Sequence, residues 1–394
     1  MSPIRSATIA ALASAVLATT LTGCQFGAAE QDTSPIVIAA DLEISGAAAP
    51  VGKAYQRALE LKVEQLNASG ALGGRQIDLR VKDNRSDAAE SLRNITDFSK
   101  DGKVSAIIMG GCNECAVGAV RAVGDGRIPT IALAASSEVT NPVAERRYMF
   151  KLAPNAADSA AVLVDELGRS GIRRVALLHS DDNYGREGLT ALRSELDKAD
   201  IRLVRRSAVP TTATDLNEPV RQLTFGNIDA LVVWTTPEQA TLVTNSAQQA
   251  EFQGNLYFDV VAGGDLFLGT STQASARSTL VFSQTMAIDD VIATTPAKAA
   301  RRQWFQDYTA RFGGYHGFSS FAADAVQLIV NAELRRPAGT PGRVDRDGIR
   351  DVLETSQLDG LSGPIRMTPD NHSGLMPQAL TTLVARGGRW RLAG

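Results

Sequence analysis

Two clusters in the chain carry residue types that could do chemistry. Cys112-Asn113-Glu114-Cys115 is a C-x-x-C, a spacing that serves thiol redox chemistry or half of a metal site. No second C-x-x-C exists, and His179, His316 and His372 lie far apart in sequence, so a zinc site is not expected. Outside the cytoplasm the plain reading is a local disulfide between Cys112 and Cys115. His179-Ser180-Asp181-Asp182 holds the parts of a hydrolytic triad, but neighbours in sequence do not have triad geometry. No phosphate-cradling G-x-x-x-x-G-K-[ST] and no glycine-rich dinucleotide fingerprint occurs. The expectation is a chain that binds rather than catalyses, with no cofactor and no metal.

The N-terminus points to a compartment. Arg5 is the only charged side chain before residue 24, and a mostly apolar run spans residues 7–18. A positive start and a short apolar segment describe a secretory signal. The run is shorter than the ~20 residues that cross a bilayer, and no later stretch is long and apolar enough to do so. Leu21-Thr22-Gly23-Cys24 resembles a lipobox, which implies a signal peptide over residues 1–23 and diacylglyceryl attachment at Cys24. Residues 24–34 are small and polar, as a tether should be. The expected location is the extracytoplasmic face of the cell membrane, held by lipid. The net charge of −3, with no basic block, leaves nucleic acid without a footprint.

Any binding residues must be positioned by alternating strands and helices. Ile36-Val37-Ile38-Ala39-Ala40 suits a buried strand. Tyr55, Leu59, Val63 and Leu66 recur at helical spacing and predict an amphipathic helix over 52–67. Strands are predicted at 76–82, 104–109, 128–133, 174–179, 202–208, 229–234, 255–260 and 279–282. Helices are predicted at 87–98, from near Cys115, and at 156–170, 187–199, 215–225, 237–250, 298–312, 319–334 and 346–355. Such alternation predicts parallel sheets with helices on both faces. The strands are too many for one small sheet and split near Pro154, so the expected α/β fold has two doubly wound parallel-sheet lobes. A (β/α) barrel would show the same alternation.

Several short motifs then fall in order. They are Ile44-Ser45-Gly46 with Val51-Gly52 opening a helix, the glycine turn of residues 66–75, and Val104 to Gly111. After these come residues 128–136, Asn183-Tyr184-Gly185-Arg186-Glu187-Gly188, and a terminal hairpin through Gly360 to Ile365, Asp370-Asn371 and Gly387 to Trp390. Together they resemble the type I periplasmic solute-binding proteins, in the leucine/isoleucine/valine-binding branch. The resemblance implies two lobes joined by a three-stranded hinge, residues 35–153 with 284–357 and residues 154–283 with 358–394. It also implies a small-molecule ligand in the cleft, an amino acid, an amide or a related small organic acid, and delivery to ABC permease subunits by a monomeric protein. A ligand sensor of the same fold, without transport, is the alternative.

Carried over position by position, Asn113 and Ser136 stand where the family has hydroxyl side chains for a ligand carboxylate, and Ala134 matches a backbone contact. Tyr184 matches an aromatic wall, with Thr235 or Thr236 lining the next loop. Val261 stands where amino-acid binders place an acid for the ligand ammonium. Either Asp259 or Asp265 substitutes, or the ligand is not an α-amino acid. Val51 replaces the first-loop aromatic, which implies a differently shaped pocket floor. Ser86 stands where the partner of the family's long-range disulfide would be.

Overall fold

The computed structural model describes residues 32–262, 277–290, 293–337, 342–387 and 389–393. Cys24 and Asp265 lie outside the described residues. The chain builds two open sheets, which excludes the barrel.

The first sheet has strands β1 (Ile36–Leu42), β2 (Ile77–Asp83), β3 (Val104–Met109), β4 (Thr130–Ala132) and β5 (Met149–Lys151), all parallel in the order β2-β1-β3-β4-β5. All seven residues of β1 are buried, as an unbroken apolar run between two neighbours requires. Its alternate residues serve two cores. Val37 and Ala39 pack with Ile95 and Phe98 of α2 (Ala88–Lys100) and with Ala116 and Ala119 of α3 (Asn113–Asp125). Ile36, Ile38, Ala40 and Leu42 face Tyr55 and Leu59 of α1 (Ala49–Ala68).

The second sheet contains β6 (Arg174–Ser180), β7 (Arg202–Val209), β8 (Ala230–Trp234), β9 (Asn255–Phe258) and β10 (Ser278–Ser283), with β13 (Leu380–Arg386) and β14 (Arg389–Leu392) at one edge. The order is β14-β13-β10-β9-β8-β6-β7. The strands from β10 to β7 are parallel, whereas β13 and β14 run antiparallel to their neighbours. Leucines of α4 (Ala156–Arg169) and α5 (Asn183–Lys198) cover one face, and α6 (Asn217–Thr224) with α7 (Pro237–Gln249) covers the other.

Beyond β10 the chain returns to the first lobe. There α8 (Pro296–Phe312) and α9 (Ser319–Arg335) pack beside α1, and α10 (Arg346–Leu353) packs on α9. A short antiparallel pair, β11 (Gln357–Asp359) with β12 (Pro364–Arg366), leads back to β13. The polypeptide therefore passes between the two sheets after β5, after β10 and between α10 and β13.

Among the predicted boundaries that move, three do so because a carboxylate intervenes. Helix α5 starts at Asn183 rather than 187, since Asp182 Oδ1 accepts the Gly185 N–H at 2.8 Å and caps it. Asp215 takes the Asn217 N–H at 2.9 Å, so α6 begins two residues late. Strand β9 stops at Phe258, because the Asp259 side chain accepts from Val261 N and Ala262 N, both at 3.1 Å, and turns the chain.

Candidate functional site

A cleft of about 540 Å³ opens between the lobes, at the carboxyl ends of strands of both sheets. Open α/β sheets hold ligands in this position, because strand ends and helix starts leave backbone groups facing the crevice. From the first lobe come Glu43, Val51, Tyr55, Asn113 and Leu133. From the second come Asp182, Thr236, Glu238 and Val261. Phe318 and Phe321, at the start of α9, add an aromatic wall, with Tyr55 edge-on to Phe318 at 6.1 Å between ring centres. The small side chain of Val51 is thus compensated by aromatics from a helix 270 residues further along the chain.

Of the residues singled out from sequence, Asn113 and Val261 line this cleft, as does Thr236. Ala134, Ser136, Tyr184 and Thr235 lie behind its surface, and each has a physical reason. Ala134 is packed in the core between β4 and α3. Ser136 Oγ donates to Glu187 Oε1 at 2.7 Å and also caps the short helical turn that follows. Tyr184 is in the first turn of α5, which rotates its ring inward against Trp234, and its hydroxyl donates to the Asp259 carboxylate. Thr235 Oγ1 donates to Gln239, which in turn donates to Pro210 O at 2.6 Å.

The suggested substitution of Asp259 for the missing acid at Val261 is not what the geometry gives. Asp259 is fully buried and holds Tyr184, Val261 and Ala262, not the cleft. Burial pushes its carboxyl up to about 7, against the pull of the Tyr184 hydroxyl and the backbone amides.

The acid that sequence reasoning passed over is Glu43. Glu43 is 1% exposed, immediately after β1, and its Oε1 accepts the Cys112 N–H at 2.6 Å. Burial raises its carboxyl to about 7, opposed by that bond and others from the backbone. Gly52 and Gly110 make room for it, since a Cβ at 110 would fall 2.1 Å from Glu43 Oε2. The available signal was an acid at the carboxyl end of an otherwise apolar strand.

Asn113 performs an internal task as well. Its Oδ1 accepts from Ala135 N at 2.9 Å and Ser136 N at 2.8 Å, which fixes the loop after β4. Cys112 and Cys115 bracket this residue with Cα atoms 5.2 Å apart and their sulfurs at bonding distance. The sequence His179-Ser180-Asp181-Asp182 forms no relay: His179 Nδ1 meets Ser180 O at 2.8 Å, and Ser180 Oγ turns to Asp182.

The hinge side of the cleft is organised by Lys151. It is fully buried, with Nζ donating to Ala135 O, Ala153 O, Pro154 O and Asn155 Oδ1 at 2.8–3.3 Å. Burial lowers its pKa to about 8. These four acceptors lie in the loop after β4 and in the segment that leads from β5 to the second sheet.

Residues 35–388 match the family model of periplasmic binding proteins. The chain belongs to the periplasmic binding protein family. Its two-sheet architecture and the solved structures similar to it are of type I. This binding protein is 25% identical over 339 residues to the Leu/Ile/Val-binding protein homolog 8 of Brucella suis, covering 79% of this chain and 81% of that one. An extracellular ligand-binding receptor from Rhodopseudomonas palustris HaA2 superposes with a TM-score of 0.82 at 21% identity, covering 91% of this chain and 99% of that chain. A branched-chain amino acid transporter substrate-binding protein from Streptococcus pneumoniae, solved with isoleucine, superposes at 0.78 with 20% identity and coverage of 91% and 99%. No helix among the described residues is long and apolar enough to cross a membrane.

Proposed function

We propose that this binding protein is anchored by lipid at Cys24 on the extracytoplasmic face, captures a small polar ligand between its lobes, and delivers it to an ABC importer. The lobes are residues 35–153 with 284–357 and residues 154–283 with 358–394, moving about the three connections between the sheets. The observation that carries the reading is the cleft of about 540 Å³ walled by both lobes, in a chain of this family. Hinged closure around a ligand is how two lobes joined by short connections bury it. Of the amino acids, amides and small organic acids, the organic acids suit this wall least, because the charged side chains among its described residues are all acids.

A thermal-shift screen over amino acids, amides, urea and small aromatic acids supplies the ligand. Small-angle scattering then reports closure. The expected outcome is a smaller radius of gyration with ligand, and a binder that leaves it unchanged overturns the closure reading. Cys24→Ala should move the protein from membrane to soluble fractions, since stable attachment needs two acyl chains. Equal membrane retention would remove the anchor.

A further inference from the structure

Two carboxyl groups line the cleft from opposite lobes, each with an oxygen that has no hydrogen-bond partner among the described residues: Glu43 Oε2 and Glu238 Oε1. A buried polar atom left without a partner costs about 1–3 kcal/mol, so both positions call for a donor. Glu114 and Asp182 line the same cleft, and no Lys, Arg or His is among the described residues that line it.

Three backbone amides of the first-lobe loops that could hold a ligand anion are meanwhile occupied by the protein itself. Asn113 Oδ1 takes the N–H groups of Ala135 and Ser136, and Glu43 Oε1 takes that of Cys112. These strand-end and helix-start amides are where a carboxylate would dock. With an oxygen already seated on them, the site is prepared for positive charge. The wall also carries apolar side chains, Val51, Leu133, Phe318 and Phe321, beside the hydroxyls of Thr211, Thr212 and Thr236.

We infer that the cleft selects a small organic cation, an amine with a hydrocarbon body and no carboxylate, whose ammonium is held by Glu43 and Glu238 as the lobes close. Glu43 anchors the ligand from the first lobe, and Glu238, in the first turn of α7, meets it from the second. Unlike charges attract strongly in a cleft that closes away from water, and each carboxylate gains a donor on the oxygen that lacks one. The inference rests on the solute-binding reading above.

The test uses matched probes on the full chain by isothermal titration at about pH 8, where alkylamines remain protonated. The amines are 3-methylbutylamine and 2-phenylethylamine. The acids with the same hydrocarbon bodies are 4-methylpentanoate and 3-phenylpropanoate. The amines should bind at least about tenfold more tightly than the acids. Glu43→Gln and Glu238→Gln should each weaken the amines by about tenfold or more, the loss expected for a charge-assisted hydrogen bond. Melting temperature establishes that each variant folds, and if Glu43→Gln does not, Glu238→Gln decides. Acids binding as tightly as amines, neither amine binding, or folded variants keeping full amine affinity would each overturn the inference. If a screened acid or amino acid binds with compaction while both amines fail, solute binding stands and cation selection falls. If no ligand of any class produces compaction, the solute-binding reading falls first.

Discussion

Ser136 and Glu187 join the two lobes: Ser136 Oγ, in the loop after β4, donates to Glu187 Oε1, near the start of α5, at 2.7 Å. The Ser137 N–H reaches the other oxygen at 2.9 Å, and Asn183 Nδ2 donates to Glu138 Oε2 at 2.8 Å across the same gap. A hydrogen bond to a charged group contributes about 1.5–3 kcal/mol, and partial exposure of Glu187 places this tie at the lower end. Glu187→Ala should therefore shift the lobe equilibrium by about tenfold toward separation. A larger radius of gyration of the unliganded variant is the expected scattering result. An unchanged profile would show that the contact follows lobe position rather than setting it.

Tyr184→Phe should destabilise the second lobe while leaving the cleft surface intact. Among the described residues the hydroxyl is the only side-chain donor to the buried Asp259 carboxyl, and removing it leaves that group short of a partner. The expected loss is about 1–3 kcal/mol, read as a lower urea midpoint. Ligand affinity should change less than twofold. A large affinity loss with unchanged stability would return Tyr184 to the pocket wall.

Stability should depend on pH through Glu43 and Asp259. Both carboxyls are raised to about 7 by burial, from ordinary values near 4. Between about pH 4 and 7 the unfolded chain has released protons that the folded chain still holds at these two groups. Their contribution to stability is therefore full in acid, falls as pH rises toward 7, and is level above that. Asp41 faces Glu43 and raises it further, and Tyr184 and the amides of Val261 and Ala262 face Asp259. The double variant Glu43→Gln with Asp259→Asn should flatten the change in urea midpoint between about pH 5 and pH 8. A slope equal to the wild type would assign it to other groups.

Natively secreted protein should show no free thiol at Cys112 or Cys115 by intact mass after alkylation without reduction. The closed loop is short, with a sequence separation of 3. Reduction should therefore cost no more than about 2 kcal/mol by chain entropy. The larger effect should be on ligand affinity, because Asn113 and Cys112 position the first-lobe wall. Two alkylated cysteines in native protein would refute the pairing.

The framework was legible because its signals are local. A strand such as β1, apolar at every position, must lie between neighbours, and the helical spacing of Tyr55, Leu59 and Val63 places α1 on it. The site was less legible because single polar side chains redirect it. Asp182 caps α5 so that it begins four residues before the predicted start, which turns Tyr184 from the cleft into the core. Asp259, read as a stand-in acid for the ligand, is consumed by its own turn. Glu43 was hidden because an acid beside an apolar strand looks like its end rather than its purpose. The aromatic wall from Phe318 and Phe321 depends on a chain return that no local pattern encodes.

The edge of the second sheet is closed by β13 and β14, and α1 of the first lobe packs on α9. Both pieces come from the final quarter of the polypeptide. During synthesis neither lobe can acquire its full core while that quarter is still inside the ribosome, although β1 to β8 have already emerged. The nascent chain must therefore wait with two unfinished apolar faces. A chain shortened before residue 319 would leave both lobes open, not one, so a late nonsense change should yield no independently folded half.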